Sequence, residues 1–374
     1  MTAPTYDIVV AGLGAMGSAT VCELSRRGLH VLGLDRHAPP HAFGSSHGET
    51  RIIREAYFEH PVYVPLVQRA FELWRAIERA SGATLLRETG GLMIGRPDSA
   101  LVEGALRSAR LHNLTHEVLT SSEVRGRFPA LRPDDDMVAV HEPRAGILFP
   151  EACIGALLAR ARQQGAELHG NEAMCRWESG TDGLRVYTEK GEYRARRLIV
   201  CAGAWVNELL PGQELRLHIE RQVLHWFEPV TMADQFAPER CPIHLWQFDE
   251  GRFFYGFPDL GGGVKAGFHH EGEITSASDV RRSVTSAEVE AVRSVMRRFL
   301  PGADGPLRSS IVCLYTNTPD GHFLIDTHPL HPDVLIASPC SGHGFKFAPV
   351  IGEILADLAQ DKVPRFDLTL FRRR

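Results

Sequence analysis

The stretch that most constrains this chain is its opening. An apolar strand, Ile8-Val9-Val10-Ala11, runs into Gly12-Leu13-Gly14-Ala15-Met16-Gly17 and a helix closing at Gly28, and a second apolar strand, Leu29 to Leu34, ends on Asp35. Each glycine has a physical task in a dinucleotide-binding turn. Gly12 permits the tight turn, Gly14 lets backbone approach a pyrophosphate, and Gly17 lets the helix pack on the strand. The helix N-terminus then offers unpaired N–H groups to phosphate. Asp35 follows Gly17 by 18 residues (35 − 17), close to the spacing at which a carboxylate accepts a ribose hydroxyl. The pattern predicts a bound dinucleotide and does not separate NAD from FAD.

The tail repeats the same logic. Val334-Leu335-Ile336-Ala337 reads as an apolar strand, followed by the loop Ser341-Gly342-His343-Gly344-Phe345-Lys346 and a helix through Ile351, Ile354, Leu355 and Leu358. The chain is therefore expected to end inside its first domain. Between these ends, Pro65 and Gly82 bracket a helical pattern in which Trp74 belongs to the core, and Pro150 to Gly165 reads as another helix. Ala166 to His169 reads as a short strand returning to the nucleotide sheet. Leu198 to Val200, running into Cys201-Ala202-Gly203, reads as a buried parallel strand meeting a ligand. Residues 217 to 317 read mainly as strands, with Gly261-Gly262-Gly263 as a hairpin turn and a Thr285/Glu288 capping box opening a helix.

At 374 residues there is material for about two domains. The net charge of −5 argues against a nucleic-acid partner. Seven scattered cysteines without a CxxC pair point to a reducing compartment. No apolar run approaches the ~20 residues of a membrane span, and no signal peptide is recognisable. The expectation is a soluble cytoplasmic protein.

Candidate chemistry lies in four places. On a strand, residues two apart share a face, so Cys313 and Tyr315 point the same way. Either a reactive thiol and a phenol share a cavity, or Cys313 is a buried inert cysteine, the commoner fate of a free thiol. The same rule puts Lys265 and His269 on one face, about 13 Å apart at ~3.3 Å per residue. A lysine on an apolar strand is costly to bury, so Lys265 is an edge residue or a functional one. Lys346 opens the last helix, whose N-terminus already carries about half a positive charge, so a cation there calls for an anion. Reduced flavin or a carboxylate substrate would supply it, and Lys346 with Arg51 and Arg54 then forms a cationic floor. Taken singly, either arginine reads as surface charge. The histidines show no metal-ligand spacing, and no metal is expected.

Together these blocks resemble the monomeric sarcosine oxidase and N-methyltryptophan oxidase family. Those are FAD enzymes with a glutathione-reductase-like, D-amino-acid-oxidase-type α/β fold, in which a Rossmann-like FAD-binding domain joins a discontinuous α+β substrate domain on an antiparallel sheet. The most specific stretches are GLGAMGSA at Gly12, GSSHGETRIIREAY at Gly44, FYGFP at Phe254, VKAGFHH at Val264, VCLYTNTPDGHFLID at Val312 and SGHGFKFAPVIGEILADL at Ser341. The resemblance implies an FAD-binding domain of residues 1–86, 147–216 and 317–374 and a substrate domain of residues 87–146 and 217–316. It implies a cofactor site of Gly12, Gly14, Gly17, Asp35, Arg36, Gly44, Ser45, Thr50, Arg51, Met174, Ala202, Gly203, Gly342, Gly344, Phe345 and Lys346, with FAD covalently attached to Cys313.

Further implied are oxygen activation by Lys265, a substrate carboxylate held by Arg54 and Lys346, and a pocket lined by Tyr255, His269 and Tyr315, with Arg51 near the flavin. His269 and Arg51 join Lys265 as the catalytic candidates. The reaction implied is oxidation of a secondary amine by dioxygen, giving amino acid, aldehyde and hydrogen peroxide, in a protein acting as a monomer on small molecules. Sarcosine is the first substrate to consider, with cyclic imino acids such as pipecolate or proline, or larger N-alkyl amino acids, as alternatives. An NAD-dependent dehydrogenase would fit the opening motif but leave Cys313 and the second glycine loop unexplained. A non-enzymatic flavoprotein is a third alternative. Two stretches depart from the family pattern: Ser338-Pro339-Cys340, and Leu245-Trp246, which is expected to narrow the pocket.

Overall fold

A computed structural model describes residues 4–210, 212–213 and 215–373. The strand Thr5–Ala11 lies inside an eight-stranded sheet, parallel to Val31–Leu34 on one side and to Glu192–Val200 on the other. Glu167–His169 extends the parallel order past Val31–Leu34, and His331–Ser338 pairs in parallel with Glu192–Val200. The first strand and the last strand of the chain therefore share one sheet. Val9, Val10, Val31, Leu32, Leu198, Ile199 and Val200 are completely buried, as strands covered on both faces require. Helices Ala15–Arg26, Pro150–Gln163 and Ala348–Leu358 pack together, with Tyr63–Ser81 behind them.

The second sheet has nine strands. His218–Phe227 pairs along its length with Leu307–Asn317, and on its other edge with Val264–His269 and Ile274–Thr275. Beyond Val264–His269 come Arg252–Phe257, Ile243–Asp249, Gly91–Gly95, Val138–Glu142 and Glu117–Thr120. All pairs are antiparallel except Ile243–Asp249 with Gly91–Gly95. Those two segments are far apart in sequence and need no tight hairpin, so a parallel pairing is available to them. Helix Ser286–Phe299 packs on this sheet, opened by the Thr285/Glu288 capping box. A third sheet of Arg51–Ile53, Gly146–Leu148 and Leu86–Glu88 carries Arg51.

Three local readings shift. The second strand begins at Val31: Gly28 turns the chain in the left-handed region, the Leu29 N–H still bonds back to the Leu24 carbonyl, and Leu29 and His30 lead from that turn into the strand. The second helix begins at Tyr63, two residues before Pro65, since the first-turn N–H groups have no helical partner for proline to remove. Lys346 lies in a 3₁₀ turn, Phe345–Phe347, just ahead of the helix Ala348–Leu358.

Candidate active site

The larger cavity, about 1260 Å³, opens at the carboxyl ends of four parallel strands. Its wall there is Ala11 and Gly12, Leu34 and Asp35, Cys201 and Ala202, Ala337 and Ser338. Parallel α/β sheets bind their ligands at this edge. The backbone makes the cradle: a Cβ on Gly17 would lie 1.7 Å from the Gly12 carbonyl oxygen. Helix Ala15–Arg26 opens at Gly14, which has no capping side chain; the Ala15 N–H donates to Ser46 Oγ at 3.3 Å, and the start of the first turn faces the cavity where a phosphate would sit.

Asp35 is buried and accepts from the Leu13 N–H at 2.7 Å and the His37 N–H at 2.8 Å, one on each oxygen. A carboxylate oxygen has a second lone pair, so a ribose hydroxyl still finds an acceptor there. Ser338 Oγ is buried on the same wall without a hydrogen-bond partner. Arg36 lies over the Trp205 ring at 5.6 Å and pairs with Glu208. These features fit an elongated anionic dinucleotide.

Gly12, Gly14, Asp35, Arg36, Gly44, Ser45, Arg51, Met174, Ala202, Gly203, Gly342, Gly344 and Phe345 all line this cavity. Gly17, Thr50, Cys313 and Lys346 do not line it. Gly17 packs the helix on the turn. Thr50 accepts from Lys265 through both its carbonyl, at 3.0 Å, and its hydroxyl, at 2.9 Å. Cys313 sits behind the loop, its thiol 3.5 Å from the Ser45 carbonyl and 3.4 Å from the Arg51 guanidinium that donates to it. The cavity wall carries Cys340 instead. Its thiol is pushed up by burial.

A second cavity of about 580 Å³ shares Arg51, Tyr315, Gly342 and Phe345 with the first. It is lined by Arg54, Glu59, Tyr255, His269, His343 and Lys346 against an apolar wall that includes Phe58, Leu245 and Phe257. The predicted cationic floor of Arg51, Arg54 and Lys346 is thus assembled from segments almost 300 residues apart. Gly342 closes the seam, since a Cβ there would be 2.7 Å from the Tyr315 ring and 2.8 Å from the His269 ring. Lys265 and His269 part company: His269 enters this cavity, while Lys265 Nζ is buried under the loop and donates also to the Gly48 carbonyl at 2.7 Å. Burial and then Arg51 pull Lys265 well below an ordinary lysine.

Charge in the second cavity is balanced by a residue the sequence reading missed. Glu59 receives both its oxygens' hydrogen bonds from Arg54 Nη2, each at 2.8 Å. Burial alone would raise the Glu59 carboxyl, but Arg54, His343 and Lys346 outweigh it and hold it below the usual range. Lys346 is drawn down to about 7 by burial and then by Arg54, with Glu59 opposing. His269 is pushed well below 6.5 by burial and its cationic neighbours, and its Nδ1 lies 3.1 Å from the Tyr315 hydroxyl. A neutral imidazole and a protonated phenol therefore face a pocket with two to three cations and one carboxylate.

Other supporting groups were equally hidden. Glu142 accepts from the Glu55 and Ala56 N–H groups at 2.6 and 2.8 Å and so fixes the segment that carries Arg54. Trp74, expected only as core, also donates from Nε1 to the Lys346 carbonyl at 2.9 Å. Leu245 lines the cavity, but Trp246 does not. Adjacent strand residues face opposite ways, and Trp246 stacks on Phe299 in the other core, so it cannot narrow the pocket. Among the described residues, no cluster of His, Cys, Asp and Glu is arranged to hold a metal ion, and no helix is long and apolar enough to cross a membrane.

Comparison with known proteins agrees with this arrangement. The family profile for FAD dependent oxidoreductases of the DAO type matches residues 7–358. The chain is 46% identical to a monomeric sarcosine oxidase of Streptomyces avermitilis, over 99% of this chain and 98% of that one. It is 37% identical to an N-methyl-L-tryptophan oxidase of Salmonella arizonae, over 98% of each. The solved structure of NikD, an unusual amino acid oxidase essential for nikkomycin biosynthesis, superimposes with a TM-score of 0.86 at 24% identity, covering 99% of this chain and 98% of that one. That likeness shows the fold. By the profile and by its full-length relatives, the chain belongs to the DAO family of FAD-dependent oxidoreductases, in the group of the monomeric sarcosine and N-methyltryptophan oxidases.

Proposed function

We propose that this protein is a flavin oxidase of N-methyl amino acids, with sarcosine the first substrate, yielding the demethylated amino acid, formaldehyde and hydrogen peroxide. The observation that carries this reading is the meeting of the two cavities at Arg51, Tyr315, Gly342 and Phe345. A dinucleotide cradle opens there onto a pocket that pairs cations with aromatic rings. When bound, FAD would supply the acceptor for the hydride equivalent, two electrons and a proton, of a C–H bond, with dioxygen as the final electron acceptor and water hydrolysing the resulting imine to the amino acid and formaldehyde.

The chain's own residues do the rest. Arg54 and Lys346 hold the substrate carboxylate, which fixes the amino acid in one orientation. Tyr255, Tyr315 and His269 wall in the amine end, and the neutral His269 leaves the nitrogen free of a like charge. The apolar residues Phe58, Leu245 and Phe257 exclude water around the N-methyl group. Arg51 and Lys265 place positive charge near where negative charge develops on cofactor and oxygen. We further propose that Cys313 holds FAD covalently, with the Arg51 N–H at its sulfur, and that the protein works as a monomer in the cytoplasm.

A peroxide- and formaldehyde-coupled screen of N-methylated, cyclic and primary amino acids tests the substrate. Sarcosine or another N-methyl amino acid should give equal amounts of both products. Peroxide from pipecolate or proline without formaldehyde would move the assignment to a cyclic imino acid. For the linkage, acid-precipitated protein should stay yellow and a tryptic digest should carry the flavin mass on the Cys313 peptide. Flavin on Cys340, or a colourless precipitate from fully loaded protein, would contradict it.

A further inference from the structure

Behind His343 and Lys346 in the wall of the second cavity runs a chain of hydrogen bonds that the reaction as described does not use. His343 Nε2 lies 3.0 Å from the Gly321 carbonyl oxygen, and His343 Nδ1 lies 2.6 Å from the Tyr57 hydroxyl. The Tyr57 oxygen in turn lies 3.3 Å from Lys346 Nζ, which also donates to the His343 carbonyl at 2.7 Å. Tyr57 is completely buried, and His343 and Lys346 nearly so.

The sense of each bond follows from the chemistry at its end. A carbonyl oxygen can only accept, so His343 Nε2 must carry the hydrogen. Burial drives the His343 ring down to about 3, so it is neutral and its Nδ1 is a bare acceptor. The phenol, raised well above 10 by burial, keeps its proton and donates it to Nδ1. Only lone pairs then remain on the Tyr57 oxygen to meet Lys346. We propose that the Gly321 carbonyl, His343 and Tyr57 form a one-way hydrogen-bond chain that holds the Lys346 amine as a donor, favouring its charged form and leaving one N–H for a carboxylate ligand in the second cavity. Tyr57 and His343 are thus positioning residues for Lys346. The inference rests on the reading above that Lys346 binds the carboxylate.

The groups facing Lys346 are few. From the segment after Ile53 come Arg54, Glu59 and Tyr57, from its own loop His343, and from the strand Val264–His269 the neutral His269. Of these, Arg54 lowers and Glu59 raises the lysine, and their pairing leaves two uncharged acceptors, the His343 carbonyl and the Tyr57 oxygen, to favour the ammonium.

The test uses the flavin-loaded protein, with methoxyacetate, an ether of sarcosine's shape, as probe and methoxyacetamide as its uncharged counterpart. Binding is read from the flavin absorbance between pH 5.5 and 9. Lys346 is charged below its pKa, so wild-type affinity for methoxyacetate should fall about tenfold per pH unit above that point, while methoxyacetamide stays level. Tyr57→Phe keeps the ring over which Arg54 lies at 4.3 Å but removes the acceptor. It should move the fall to lower pH and leave affinity at pH 5.5 within about twofold. His343→Leu should do the same, and His343→Gln, whose amide can accept and donate in the same sense, should behave as wild type; this pair also decides the matter if Tyr57→Phe does not fold. A fall at the wild-type pH in Tyr57→Phe or His343→Leu, or a loss of affinity equal at every pH, would overturn the chain. Lys346→Met should cut the preference for methoxyacetate at pH 5.5 by about tenfold or more, leaving the share of Arg54, and remove the fall with pH; if the preference and its pH dependence are both unchanged, the carboxylate reading of Lys346 itself fails, whatever the other variants do.

Discussion

The two cavities are built by opposite means. The cofactor cavity is a backbone construction: strand ends, an uncapped helix and glycines too close to other backbone to carry a side chain. The second cavity is a side-chain construction, in which cations, a carboxylate, an imidazole and phenols converge from distant segments and hold one another by burial and pairing. A backbone cradle depends on the absence of atoms, and a side-chain pocket on the balance of charges. They should therefore fail in different ways.

The largest effect is expected in the cradle. Gly17→Ala puts a methyl group 1.7 Å from the Gly12 carbonyl oxygen, an overlap that no rotamer relieves. The purified variant should retain less than about a tenth of the wild-type flavin per protein, since overpacking against rigid backbone costs ~1–3 kcal/mol or more. Absorbance at the flavin band against 280 nm reads this. Normal flavin content would break the distinction at its first limb.

The pocket should fail through charge, with flavin content kept. Arg54→Met or Lys346→Met should raise KM for an N-methyl amino acid by about 10- to 150-fold, the worth of a charge-assisted hydrogen bond, and change KM for the matching amine without a carboxylate far less. Equal losses on both would mean that neither cation meets the carboxylate. Glu59→Gln tests the balance itself. It leaves Arg54 buried without its counter-charge, a loss of about 3–5 kcal/mol in stability, visible as a fall of several degrees in Tm. The free arginine should meanwhile bind carboxylates no more weakly than in wild type.

The same contrast explains what was legible in the sequence. A backbone cradle is written locally, in glycine spacing and in the strand–turn–helix pattern on either side of it, so Gly12, Gly14, Asp35, Gly342 and Gly344 could be found by position alone. The return of the last strand to the first sheet was legible for the same reason, as an apolar run before a second glycine loop. Lys346 was suggested by its place at the opening of the last helix, and Arg54 beside it by the family resemblance, since taken singly either arginine reads as surface charge. Their partners carry no local signal: Glu59, Tyr57 and Glu142 are ordinary residues until the fold buries them beside a cation or a bare N–H. Trp246 shows the converse. Its departure from the family pattern suggested the pocket, but strand alternation sends it to the opposite core, and of the two only Leu245 faces the second cavity.

That alternation supplies the smallest prediction. Leu245→Ala should enlarge the pocket and shift KM for N-methyl against N-ethyl amino acids by only about 2- to 5-fold, below the ~1–3 kcal/mol, or about 10- to 200-fold, that a methylene contributes in a closely fitted apolar pocket. Trp246→Leu should leave that ratio unchanged while lowering Tm, because it opens a hole against Phe299. A changed ratio in the second variant would place Trp246 in the pocket after all.

The central claim is that electrons from an N-methyl amino acid held by the second cavity reach a flavin held by the first. Anaerobic mixing of the flavin-loaded protein with sarcosine, followed at the flavin band, tests it most directly. The account predicts complete bleaching at saturating sarcosine, slower bleaching in Lys346→Met at the same subsaturating concentration, and, in protein reduced with a single equivalent of sarcosine, full return of the colour with one peroxide released per flavin when air is admitted. A flavin that stays oxidised with sarcosine and with every other N-methyl amino acid tried would contradict it.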